Sequence, residues 1–180
     1  EPISWRTPAL PYDFPHLEFV QSDPTRMAPG MTLFDVYSEY YAVIVDAFGE
    51  VRWFYRAPEE YSRYRLLRNG NIICVPGYGS YITELDWFGR AIHTWYAANN
   101  RITPVGTIPV AVNNFHHNVD EMPSGNLVAL AQENRVISNY PTSANDPTAP
   151  TARARVVGDQ IVEFTQEGLI VKRYSLFDIL

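Results

Sequence analysis

Cysteine and lysine are almost missing from this chain. Its 180 residues hold a single cysteine, Cys74, so neither an internal disulfide nor a cysteine-based zinc site can be built from the chain alone. Cys74 lies in the apolar run Asn71-Ile72-Ile73-Cys74-Val75, where a buried and inert thiol is expected. Lys172 is the one lysine among 14 basic residues, and the formal charge is -6. With no basic block and an acidic balance, a nucleic-acid partner is not expected. No apolar run approaches the roughly 20 residues that a spanning helix needs, so no membrane span is expected. No Gly-x-Ser-x-Gly elbow occurs, and Gly77-Tyr78-Gly79 lacks the third glycine of a dinucleotide fingerprint and reads as a loop. The apolar fraction of 46% and aromatic fraction of 14% exclude intrinsic disorder.

What is present falls into two parts. Residues 1–30 carry Pro2, Pro8, Pro11, Pro15, Pro24 and Pro29, a density that blocks helix and most sheet ladders. This segment reads as an extended arm, and Trp5, Tyr12, Phe14 and Phe19 suggest that it lies against a surface. From residue 31 onward, short runs rich in Val, Ile, Tyr, Phe and Trp are punctuated by Gly-containing turns, with no sustained helical period.

The turns define a repeat. Val43–Tyr55, with Gly49 at its turn, recurs around Gly89 and again around Gly168. Val45, Leu85 and Phe164 stand four residues before these glycines, and Tyr55, Trp95 and Tyr174 six after. A second hairpin type alternates with the first and carries Gly-Asn followed by apolar residues, at Gly70-Asn71 and Gly125-Asn126. Two hairpins make four strands, the content of one propeller blade. Gly49 and Gly89 lie 40 residues apart, a usual blade period, and insertions near residues 97–111 and 134–157 account for the longer second interval. Such insertions are expected to be functional loops or partner contacts.

The expected fold class is therefore all-β, a partial β-propeller of four-stranded antiparallel blades with a Pro-rich arm. Residues 31–180 would form about two blades plus the last hairpin of a preceding one. A propeller needs four to eight blades to close, so further blades are expected from another polypeptide, or the chain is a piece of a longer one.

Chemistry is expected at Asn113-Asn114-Phe115-His116-His117-Asn118-Val119-Asp120-Glu121, where polar residues crowd the start of a strand that would border the central channel. By glycine alignment His117 matches Ser62, so the His pair is no part of the repeat consensus. Imidazole can donate, accept or carry charge near neutral pH. The plainer alternative has the pair capping the strand end. Adjacent strand residues point to opposite faces, so His116 and His117 are not expected to share a metal ion. Arg63, Arg65 and Arg68 read as an exposed strand face, and His93, which falls where Trp53 and Lys172 fall, as an outward repeat position.

The run Asn114–Val119, followed by Pro123-Ser124-Gly125-Asn126-Leu127-Val128, resembles the bacterial arylsulfate sulfotransferase family. So does Gly158–Phe164 leading into Tyr174–Leu180. The resemblance covers about residues 31–180 and implies a six-bladed propeller, secreted or periplasmic, that moves a sulfuryl group from a phenolic sulfate ester to another phenol. It implies a sulfated-histidine intermediate with no nucleotide sulfate donor and no cofactor. His117 matches an active-site histidine that supports the sulfuryl group without being the nucleophile, Asn118 follows it as in relatives, and His116 takes a more variable place. The nucleophile is expected outside this chain. A non-catalytic propeller-derived binding or assembly module is the alternative expectation.

Overall fold

The computed structural model describes residues 9–58, 61–77, 79–99 and 101–179. Among these residues the architecture is all-β, with twelve strands and two short 3-10 turns. The chain divides into two compact units, Glu1–Glu60 and Tyr61–Leu180. No closed ring of blades is present among the described residues; there are three separate sheets.

The first unit holds a three-stranded antiparallel sheet of β1 (Thr32–Val36), β2 (Tyr41–Val45) and β3 (Val51–Arg56). The expected hairpin is β2–β3, and β1 joins it as a third strand. The Pro-rich segment before it forms no strand over residues 9–31 and lies on this sheet. Phe14 packs edge-on to Tyr41 and Phe54 at 5.2 and 5.4 Å, and Asp13 holds Arg56 at 2.8 Å. Phe19 lies so close to Gly49 that a Cβ there would collide with its ring. Tyr12 points fully into solvent, while Trp5, Pro2 and Pro8 fall outside the described residues.

The second unit contains two four-stranded antiparallel meanders. The first runs β4 (Tyr61–Leu66), β5 (Ile72–Pro76), β6 (Tyr81–Leu85) and β7 (Ala91–Ala97), with β8 (Ile108–Val110) added in parallel beside β7. The second runs β9 (Phe115–Glu121), β10 (Leu127–Pro141), β11 (Thr151–Phe164) and β12 (Ile170–Ser175). One core lies between them. Ile73, Val75, Ile82 and Trp95 from the first sheet meet Phe115, Leu127, Ala129, Val162 and Phe164 from the second. Trp95 also donates its indole N–H to the Gln166 carbonyl at 2.8 Å, and Arg68 reaches the Pro123 carbonyl at 2.8 Å. Arg65 lies 3.4 Å from Asp120. Two members of the arginine strip thus tie sheet to sheet.

The repeated turns share one construction. Gly49, Gly89 and Gly168 take φ of 78, 77 and 83°, the left-handed region that glycine enters without cost. Three residues after each glycine the following strand bulges at the same place: Ile44 pairs with Trp53 but Val45 with Val51, Glu84 with His93 but Leu85 with Ala91, and Glu163 with Lys172 but Phe164 with Ile170. The turn itself is closed by the glycine N–H, which donates to the carbonyl of Asp46, Asp86 and Thr165 at 3.1, 2.9 and 2.9 Å, the pattern of a type I turn that ends on a left-handed glycine. The residue three before the glycine then accepts from the turn's backbone: Asp46 from Phe48 and Glu50, Asp86 from Phe88 and Arg90, and Thr165 from Glu167 and Leu169.

The insertion near 134–157 differs from expectation. It is mostly ladder rather than loop, because β10 and β11 continue their pairing from Asn134↔Val157 to Pro141↔Thr151. Its base is clamped by Arg135, which bonds Glu133 and Asp178 at 2.6 Å and Ser175 at 2.9 Å. Cys74 is buried as expected, and desolvation pushes its thiol pKa far above the ordinary value.

Candidate functional site

The site is built where β9, the edge strand of the second sheet, starts beside the first. Gly79, at φ 63°, closes the turn after β5, and its carbonyl accepts the Phe115 N–H at 2.6 Å. Any Cβ on Gly79 would overlap the Phe115 carbonyl oxygen, so only glycine lets β9 start this close to the neighbouring sheet. Asn114 accepts from Arg101 at 3.0 Å, and Arg101 also donates to Ser80 at 3.0 Å, which fixes the approach to the strand.

β9 then bulges. His116 pairs with Leu130 and Val119 with Ala129, so His117 and Asn118 are extra residues with no partners across the ladder. His117 has φ 58°, a left-handed conformation that histidine tolerates better than most side chains. The first sheet has a related irregularity, where Ser62 pairs with Val75 and Arg65 with Ile73, and Arg63 takes φ 60°. The structural counterpart of His117 is therefore Arg63, and that of His116 is Ser62. Aligning on the turn glycine alone shifts this match by one, because β9 holds one more bulged residue.

The bulge also overturns strand alternation. His116 and His117 do not point to opposite faces: their rings meet edge-on at 5.1 Å, with the two Nδ1 atoms 2.9 Å apart. Such a contact requires one Nδ1 to carry hydrogen and the other to present a lone pair. On its other side, His116 Nε2 is 3.2 Å from Asp159 Oδ1, close enough for charge attraction but not aligned as a hydrogen bond. A carboxylate there favours hydrogen on His116 Nε2. His116 Nδ1 then accepts from His117 Nδ1–H, and His117 Nε2 remains free toward solvent, where His117 is exposed. Asp159 was not singled out by sequence reasoning. Its only signal was its place in the Gly158-Asp159-Gln160 run, since its nearness to His116 arises from the β9–β10–β11 ladder.

Asn118 is separated from the pair. It lines a notch of about 160 Å³ with Asp120, Val128, Leu130 and Ile161, and its Oδ1 is buried without a donor. The sequence-predicted residues thus form an imidazole pair and one divergent amide. Among the described residues no group of three His, Cys, Asp or Glu side chains could hold a metal ion, and no helix is long and apolar enough to cross a membrane.

Residues 17–180 match the family model described as arylsulfotransferase (ASST). The chain belongs to the arylsulfotransferase family. This arylsulfotransferase-family chain has no significant match among curated proteins. Among solved structures it is similar to a protein of unknown function from Bacteroides caccae, at 16% identity and a TM-score of 0.37. That match covers 83% of this chain and 58% of the other, so the chain spans less than two thirds of that protein.

Proposed function

We propose that this chain supplies part of an aryl sulfuryl-transfer site within a six-bladed propeller, working in the periplasm or as a secreted protein. The observation that carries the reading is the His116–His117 pair, held on a bulge at the start of the strand that begins the second sheet. Family membership over residues 17–180 supports it.

In the proposed reaction a histidine from outside this chain attacks the sulfur of a phenolic sulfate. The N–S bond forms as the S–O bond to the phenol breaks, and the phenolate leaves and takes up a proton. A second phenol then loses its proton, attacks the sulfur and releases the histidine. This chain's contribution is to the sulfuryl oxygens, whose charge rises as sulfur changes partner. His117 in its doubly protonated form donates Nδ1–H to His116 and Nε2–H to a sulfuryl oxygen. Asp159 beside His116 offsets that positive charge.

The test is transfer from a nitrophenyl sulfate to a phenol by the complete protein carrying His117→Gly. Glycine keeps the left-handed backbone and deletes only the imidazole. Turnover is expected to fall on the order of a hundredfold or more, as when an oxyanion donor is removed. Rates near the parent's, with an unchanged circular dichroism spectrum, would sink the role given to His117. A second reading, a non-catalytic assembly module, is favoured by the half-exposed apolar face of the second sheet. Unchanged transfer in both His117→Gly and His116→Gly, or no transfer by the parent, would support it.

A further inference from the structure

β4 and β9 carry the same irregularity on neighbouring edges. Each is the first, edge strand of its sheet. Contacts between them run in step along both strands: Arg65 lies 3.4 Å from Asp120, and Arg68 donates its backbone N–H to Glu121 at 2.8 Å. Arg63 stands two residues before the first of these contacts and His117 three before it. The two left-handed residues, at φ 60° and 58°, therefore lie at one level on adjacent edges. Blunting an edge would favour glycine or asparagine at such a position, whereas arginine is strained there. Tyr64, next in the bulge, is buried, while Arg63 is exposed. Its strip neighbours Arg65 and Arg68 tie sheet to sheet, but Arg63 has no hydrogen bond or ion pair among the described residues. The carboxylates of this edge are engaged elsewhere: Asp120 by Arg65, Glu121 by the Arg68 N–H, and Asp159 beside His116. The Arg63 charge is left unneutralised on the edge next to the His pair.

We propose that Arg63 binds the sulfate group of an aryl sulfate monoanion, held between its guanidinium and the His117 imidazole. The proposal rests on the sulfuryl-transfer reading of the His pair and adds the group that grips the anion before transfer. A guanidinium offers two parallel N–H donors that match two oxygens of a tetrahedral sulfate, and it keeps its charge at any working pH. His117 offers one Nε2–H from the adjacent edge. Charge divides the two tasks. The ester carries its full negative charge when it binds, so Arg63 acts on binding, whereas the His117 N–H gains strength as charge rises on the sulfuryl oxygens. The chain's formal charge of -6 repels an anionic ester, and an unneutralised guanidinium offsets that repulsion locally. Arg63 makes and breaks no covalent bond.

The test is binding of benzylsulfonate, an analogue whose C–S bond blocks transfer, to the complete protein by isothermal titration calorimetry. Arg63→Gly keeps the left-handed backbone and deletes the guanidinium. It should weaken binding about tenfold to a hundredfold, the range for losing charge-assisted hydrogen bonds. Arg63→Lys, which keeps the charge without the fork, should fall between parent and glycine. Arg153→Gln removes the same charge from an exposed place about 20 Å along β11 from Asp159, and should leave binding within about twofold of the parent's. If glycine loosens the strand, as a lowered melting temperature would show, Arg63→Asn carries the comparison, since asparagine also takes left-handed φ. Parent-like binding by Arg63→Gly, an equal loss in Arg153→Gln, or no binding by the parent would each overturn the proposal. Binding does not depend on turnover. Weakened binding in Arg63→Gly, from a parent that transfers no sulfuryl group, would reject the proposed reaction and leave the anion site standing. Unchanged binding beside His117-dependent transfer would do the reverse.

Discussion

Glu84 is a carboxylate with 3% exposure in the middle of a sheet, a placement that is unfavourable unless its lone pairs are filled. They are filled: Asn69 and Asn71 donate amide hydrogens to Oε1 at 2.8 and 2.6 Å, and His93 meets Oε2 at 2.7 Å. Burial alone would raise the pKa, yet the bonds from Asn71, His93 and Asn69 hold the carboxyl below its ordinary 4.5. The repeat uses the same device at Asn126 and Glu163, joined at 2.7 Å, with Lys172 opposite Glu163 where His93 stands opposite Glu84. A carboxylate whose pKa is lower in the folded state stabilises the fold above its unfolded value. That stabilisation disappears as pH falls from about 4.5 through the lower folded value. Glu84→Gln should cost about 1–3 kcal/mol at neutral pH, because its amide cannot accept all three donors. It should also flatten the acid limb of stability. Urea midpoints for parent and variant, taken at neutral pH and at steps below 4.5, check both effects. Parallel acid limbs would show that Glu84 is not the titrating group.

At the scale of the element, the hairpin turns are where local chemistry sets register. Asp86 Oδ1 accepts the Phe88 and Arg90 N–H groups at 2.8 and 3.0 Å, and Oδ2 holds Arg90 Nε at 2.7 Å. Thr165 performs the backbone part of this task with its hydroxyl at the matching turn. Asp86→Thr should therefore lower the melting temperature less than Asp86→Ala, since it keeps the backbone acceptor and loses only the arginine contact. Equal losses in the two variants would mean that the arginine contact carries the turn. These turns were legible in the sequence because glycine at fixed offsets is a local signal. The same holds for the alternation of the two hairpin types and for the outward place of His93. Two features were not legible. The bulge that joins His116 to His117 depends on the register of β9 against β10, which no spacing within β9 reveals. The continuation of β10 and β11 through the second insertion was hidden by its Ala, Thr, Pro and Asn content. There, Val136, Ile137, Val156 and Val157 start the extended ladder from a base that Arg135 clamps on Glu133, Ser175 and Asp178.

At the scale of the whole molecule, the second unit has one core shared by two sheets, and neither sheet can keep its inner face dry without the other. Phe164 lies at the centre of this arrangement, fully buried, with its ring 5.9 Å from that of Phe115 on the strand that carries the His pair. Removing such a ring should cost about 3–5 kcal/mol, through lost transfer energy and the cavity left behind. A shared core makes that loss appear in both sheets. Hydrogen exchange of Phe164→Ala should show protection falling together in β5 and β6 and in β10 and β11, although the substitution lies in β11 alone. If protection fell only in the second sheet, the two meanders would be separate cooperative units, and the first would owe its stability to contacts other than this core. The same measurement bears on the site. β9 starts from the Gly79 carbonyl on one sheet and pairs with β10 on the other. Joint loss would mean that the His116–His117 geometry is held only while both sheets are folded.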